Sequence, residues 1–234
     1  MKILSFAEQR DGKFKKSAFE VTQAARRIAD QLGNAELITL VIGDNVESIL
    51  PELGAYGASR VLVAQDARLH HYSTTAYAKI VSAVALREQA SMLFLPASQM
   101  GKDLSPRLAA KFSAGVGADC TNLRVDAGEI IATRPIYAGK ALVDVRVSSP
   151  MKIFALRPNV FTASSINGAS VTVENVSLDL SDADFGARVT GVKIAEGRER
   201  LEALLYQYEQ DSERGGENFL KPDVPALRRE LGLE

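Results

Sequence analysis

The chain has 234 residues, 46% hydrophobic and 24% charged, with a formal net charge of -1. That composition belongs to an ordinary globular protein, excludes disordered and fibrous classes, and provides no general field to draw in nucleic acid or an anionic membrane. A lone cysteine, Cys120, excludes an internal disulfide, and no apolar stretch nears the roughly 18 residues of a membrane span.

Lys2 to Ala7 is a short apolar run, followed by a polar turn from Gln9 to Lys16. Val21, Ala25, Ile28 and Leu32 then recur at spacings of four, three and four, which puts them on one helical stripe that stops at Gly33-Asn34. Leu37 to Ile42 is apolar at every position but Thr39, the pattern of a strand covered on both faces. Gly43-Asp44-Asn45 makes a turn and a cap, and a shorter helical segment runs toward Tyr56. Arg60 to Ala64 is a third strand. From Ser73 a helix places Tyr77, Ile80, Val81 and Val84 on one face, and Met92 to Leu95 is a fourth strand.

The alternation predicts an α/β fold built on an open, mostly parallel sheet flanked by helices. Such sheets bind ligands beyond the carboxyl ends of their strands. After Gly117 the texture changes: Glu129 to Thr133, Ala141 to Val147, Lys152 to Leu156 and Val171 to Val176 read as further strands, antiparallel or mixed, attached to the α/β core. From about Glu196 a charged segment carries Leu201, Leu204, Leu205 and Tyr208 on one stripe, a short amphipathic helical tail.

The loop after the fourth strand is the first candidate site. A helix is predicted to open near Ser105, with Pro106 at the favoured first position. Its unpaired amides and dipole, joined by Lys102 and Arg107, would stabilise an anion held over Ser98, Gly101 and Ser105. The competing reading has Ser105 as a simple cap and the two cations paired with Asp103 or hydrated. Neither G-x-G-x-x-G nor G-x-x-x-x-G-K-[ST] occurs in the chain. His70 and His71 read as a solvated loop pair, Cys120 as a buried small hydrophobe, and Asp119, Asp126 and Asp144 as turn and surface groups. Two arginine-proline dipeptides, Arg134-Pro135 and Arg157-Pro158, call for extended backbone.

Three blocks, FLPASQMGKDLSPRLAAKFSAGVGADCTNL (Phe94 to Leu123), RPIYAGKALVDV (Arg134 to Val145) and FALRPNVF (Phe154 to Phe161), jointly resemble the alpha subunit of electron transfer flavoprotein. The span from about residue 1 to 195 is similar to the N-terminal domain of that family. The resemblance implies an α/β domain that pairs with a beta-like subunit as a heterodimer, and an electron carrier between dehydrogenases and an acceptor rather than a catalyst. FAD would be held mainly outside this chain, and AMP in the partner subunit. The family's flavin domain opens on an S-G-G-R-G segment, and residues 196–234 are expected to stand in its place as the helical tail. No flavin contact is therefore carried over to a residue here. Lys140 and Arg157, within the resembling blocks, are candidates for facing flavin or partner, against an architectural reading shared with Tyr137, Gly139 and Asn159. The alternatives are an adenine-nucleotide-binding α/β module and an interaction scaffold without a redox role. The expected location is cytoplasmic, or matrix-like in a eukaryote, with no nucleic-acid partner.

Overall fold

A computed structural model describes residues 1–33, 35–165, 170–177, 179–187 and 189–191. The chain divides into two units, Met1–Arg188 and Val189–Glu234. The tail stripe of Leu201, Leu204, Leu205 and Tyr208 lies outside the described residues.

β1 (Lys2–Phe6) leads into a two-stranded hairpin, β2 (Gln9–Arg10) and β3 (Lys13–Phe14), and then α1 (Lys16–Gln31). β4 (Glu36–Gly43), a 3₁₀ segment (Glu47–Tyr56) and β5 (Arg60–Gln65) follow. Next come α2 (Thr74–Arg87), β6 (Met92–Pro96), α3 (Gln99–Phe112) and β7 (Gly115–Cys120). β8 (Asn122–Asp126), β9 (Glu129–Ile136) and β10 (Ala141–Arg146) precede β11 (Lys152–Leu156) and β12 (Thr172–Asn175).

Seven strands form one parallel sheet in the order β12-β5-β4-β1-β6-β11-β7, and β10-β9-β8 form a separate antiparallel sheet. The sheet is parallel because its apolar runs are covered twice. Ile38, Leu40 and Ile42 pack with Tyr77, Ile80, Val84, Leu104 and Leu108 of α2 and α3 on one face. On the other, Ile3, Leu37, Met92, Phe94 and Phe154 pack against Val21, Ala25 and Ile28 of α1 and against Leu123, Ile130 and Ala132 of the antiparallel sheet. The α1 stripe is thus the one that the spacing of apolar residues marks.

The second half is mixed, as its texture indicates: beside the antiparallel β8, β9 and β10, the Lys152 to Leu156 and Val171 to Val176 runs become β11 and β12, both parallel members of the main sheet. β11 inserts between β6 and β7, so the three antiparallel strands are an excursion between two neighbours of the parallel sheet. One expectation is corrected, that of a helix opening near Ser105. α3 starts six residues earlier, at Gln99, and Pro106 lies inside it. Burial of Gly101, Leu104 and Leu108 holds the first turns helical, and the proline's missing N–H frees only the carbonyl of Lys102, an exposed residue.

Candidate functional site

The order in which strands are added reverses between β1 and β6. From β1 the chain passes through α1 to β4, and from β6 it passes to α3 on the opposite face, so the crevice between β1 and β6 is the switch point where open α/β sheets bind ligands. At this crevice Ser98 is the N-cap of α3, its hydroxyl accepting the Gly101 N–H at 3.1 Å. The same hydroxyl donates to the carboxylate of Glu8, which follows β1 and is only 9% exposed. A carboxylate of the chain itself is therefore bonded to the cap of the helix end, beside the place where an anionic ligand would be drawn. Gly101 is fixed by contact: a Cβ there would come within 1.7 Å of the Pro96 carbonyl oxygen.

The crevice wall is also closed. Phe6 meets Tyr77 edge to face with ring centroids 6.3 Å apart, and Tyr77 meets Tyr72 at 4.8 Å. Burial holds the Tyr77 phenol well above its ordinary range, and the nearby Glu8 carboxylate adds to the effect. Asp103 of α3 accepts the Tyr72 hydroxyl at 2.8 Å and the Thr74 hydroxyl at 2.6 Å, tying the start of α2 to α3. Those contacts, the Thr74 bond foremost, keep Asp103 below the usual carboxylate range.

This switch point does not fit a flavin dinucleotide. A buried carboxylate lies beside the pyrophosphate position and the adjoining space holds packed aromatic rings. Two cavities elsewhere are too small for one: 150 Å³ beside Ile80 and Leu180, and 280 Å³ beside Arg27 and Phe161. Sites for ligands of drug size run to roughly 300–1,000 Å³.

The seven candidate residues fall into four places. Ser98 and Gly101 belong to the sealed helix end, while Ser105 lies on α3 at 4% exposure and caps nothing. Arg107 is exposed and faces Asp103 at 3.8 Å, one helical turn away, as the simpler reading of this loop had it. Lys140 is exposed at the tip of the β9–β10 hairpin.

Lys102 and Arg157 meet at a different corner. Arg157 forks onto Asp119, Nε donating to Oδ1 at 2.9 Å and Nη2 donating to Oδ2. The Arg157 fork, then the charges of Lys102 and Arg134, hold the Asp119 carboxyl below its ordinary value against the opposing effect of burial. Cys120, fully buried beside it, has its thiol pushed up to about 12 by burial. Sequence reasoning missed Glu8, Asp119 and Arg134. For the last, the repeated arginine-proline dipeptide is a usable signal, since one arginine is forked onto the Asp119 carboxylate and the charge of the other acts on it.

The β9–β10 hairpin projects an apolar tip. Tyr137 is 78% exposed and Leu142 is 65% exposed. Tyr137, Ala138 and Gly139 all adopt left-handed backbone, at φ of 50°, 53° and 88°, a turn in which Gly139 is at ease and the other two are held against preference. Leu142 pairs with Pro135 across the two strands.

A family model described as electron transfer flavoprotein domain matches residues 3–181. Protein FixB of Clostridium saccharobutylicum is 38% identical over 187 residues, covering 79% of this chain and 55% of that protein. The electron transfer flavoprotein subunit alpha of Bacillus subtilis is 36% identical over 205 residues, covering 87% of this chain and 62% of that subunit. The same subunit of Clostridium acetobutylicum is 35% identical over 193 residues, covering 80% and 57%. The chain thus spans between 55% and 62% of the length of these relatives.

Proposed function

The chain belongs to the electron transfer flavoprotein domain family, and from that premise we propose that it works as an alpha-like subunit, a partner-binding scaffold in electron transfer between dehydrogenases and an acceptor. The observation that carries this reading is the hairpin tip. A large aromatic and a leucine left mostly in water beside Pro135 cost solvation, which suits a surface completed by another chain. The relatives are named as subunits, and the partner we commit to is a homologous beta-like subunit.

In this proposal residues 1–195 form the scaffold, and FAD is held mainly outside it. The closed switch point supports that division, because Glu8 already neutralises the helix end to which a dinucleotide would be drawn. When bound, the flavin supplies the redox chemistry; the residues described here position a partner and exclude water. The adenine-nucleotide alternative has less support for the same reason. No helix among the described residues is long and apolar enough to cross a membrane, and we propose a cytoplasmic location.

Co-expression with a beta-like subunit tests the reading. The expected result is a co-eluting complex that keeps flavin absorbance after desalting, and a colourless product when the chain is purified alone. A yellow preparation of the chain alone, at one pigment per polypeptide, would overturn the division of labour. Failure to co-elute would remove the scaffold reading.

A further inference from the structure

β7 and β11 are hydrogen-bonded neighbours at one edge of the parallel sheet, and they end side by side at Cys120 and Leu156. Arg157 leaves β11 with its main-chain N–H donating to the Cys120 carbonyl at 2.9 Å and its guanidinium forked onto Asp119. Two more cations converge there. Arg134 follows Thr133, whose carbonyl accepts both the main-chain N–H of Thr121 at 2.8 Å and its hydroxyl at 3.3 Å, so this part of β9 is fastened to the end of β7. Lys102 comes from the opening turn of α3, after β6, and its charge also reaches Asp119.

The charges at this corner do not balance. Asp119 is committed to Arg157. Among the described residues, neither the Lys102 ammonium nor the Arg134 guanidinium has a hydrogen-bond or ion-pair partner. The Arg134 Nε is buried and unpaired. A buried N–H without an acceptor is destabilising, more so when charged, so this arrangement is poised for an acceptor. Three cations around one carboxylate leave two positive charges over. That excess equals the charge of a phosphate dianion, and a guanidinium offers the planar fork that phosphate oxygens match.

We propose that Lys102, Arg134 and Arg157, set around Asp119 at the carboxyl ends of β6, β7 and β11, form a binding site for a phosphate group, either inorganic phosphate or the monoester of a nucleotide. Asp119 orients Arg157, while Arg134 and Lys102 meet the ligand. The site is separate from the helix end at Ser98, which Glu8 already satisfies. It does not rest on the redox reading, and its test needs no electron donor or acceptor.

Calorimetric titration of the purified full chain with inorganic phosphate, and separately with AMP, in chloride buffer of constant ionic strength, decides the matter. Saturable binding is expected. Equal affinity for the two ligands identifies phosphate alone as what is read, and tighter binding of AMP identifies a nucleotide. Lys102→Gln and Arg134→Lys are each expected to weaken binding at least fivefold, the second because it keeps the charge and loses the fork. Lys140→Gln, on the hairpin, should bind as the parent does. Should Arg134→Lys fail to fold, Lys102→Gln decides alone, since Lys102 is exposed. No saturable heat from either ligand, or unchanged affinity in Lys102→Gln, overturns the proposal.

Discussion

Glu8 and Ser98 are 90 residues apart in the chain and meet across the switch point, the serine hydroxyl donating to the carboxylate. The pair closes a crevice that this topology otherwise leaves open, and does so with a charge-assisted bond at a helix N-terminus. Glu8→Gln keeps the shape and removes the charge. It should cost about 1–2 kcal/mol, the difference between a charged and a neutral hydrogen bond plus the lost dipole interaction. Urea unfolding measures it, and an unchanged midpoint would show that the carboxylate contributes nothing there.

Gly101→Ala sets two effects against each other. Alanine favours a helix over glycine by about 1 kcal/mol. Yet the new Cβ would stand 1.7 Å from the Pro96 carbonyl oxygen, a backbone atom with no freedom to rotate away. Overpacking of that kind costs about 1–3 kcal/mol or more, so the clash wins and the melting temperature should fall. A rise would mean that the turn between β6 and α3 relaxes at little cost.

Much of the fold is legible in the sequence because its signals are local. The Val21, Ala25 and Ile28 stripe and the Leu37 to Ile42 run each carry their own period, and both become the elements that the period indicates. β7 is not legible, since Gly115, Gly117 and Asp119 are poor strand formers and are held in line by pairing with β11. The start of α3 was obscured by Pro106, whose usual place at a first helical position was outweighed by buried contacts upstream. The corner around Asp119 could not be read at all from spacing. Its fork joins residues 38 apart, and Arg134 arrives from a third strand.

Arg60 clamps the last strand to the sheet. Its guanidinium donates to Glu174 of β12 at 2.7 and 3.0 Å, to Glu88 at 2.7 Å and to Glu36 at 3.3 Å. The Arg60 bonds hold both Glu88 and Glu174 below the ordinary glutamate value of 4.5. Carboxylates with lowered folded-state values stabilise the fold above their unfolded value, and that contribution is lost as the pH falls through the folded values. The urea midpoint of the parent should therefore drop as the pH is taken below 4.5, and Arg60→Gln should show a flatter profile. Hydrogen exchange gives a second reading: the Thr172 and Val176 amides, which donate to Ser59 and Val63, should lose protection in the variant. Parallel pH profiles for the two proteins would remove the clamp from the account.

Cys120 is fully buried, its thiol donates to the Gly117 carbonyl at 3.1 Å, and burial raises its pKa to about 12. Thiolate is the reactive form, so a disulfide reagent should leave the native protein untouched at neutral pH and titrate one thiol per chain in urea. Rapid native labelling would place this end of β7 in frequent contact with solvent.

The hairpin tip separates docking from folding. Tyr137 and Leu142 are mostly exposed, so Tyr137→Ser and Leu142→Ser should change stability by no more than about 0.5 kcal/mol. Buried against a partner, an aromatic anchor of this kind contributes far more, and truncating it should weaken association with a beta-like subunit about tenfold or beyond, equivalent to about 1.4 kcal/mol. Calorimetry with the purified subunit reads the affinity, and thermal unfolding of the free chain reads the stability. Asp144 provides a control nearby: it is engaged with Arg124 at 2.8 Å and with the Thr133 hydroxyl at 2.6 Å on the hydrated face of the antiparallel sheet. Asp144→Asn should leave association within twofold of the parent, because an exposed ion pair contributes less than about 1 kcal/mol. If all three variants associate alike, the tip is solvent-facing in the assembly, and the surface that recognises the partner must be sought elsewhere on the sheet.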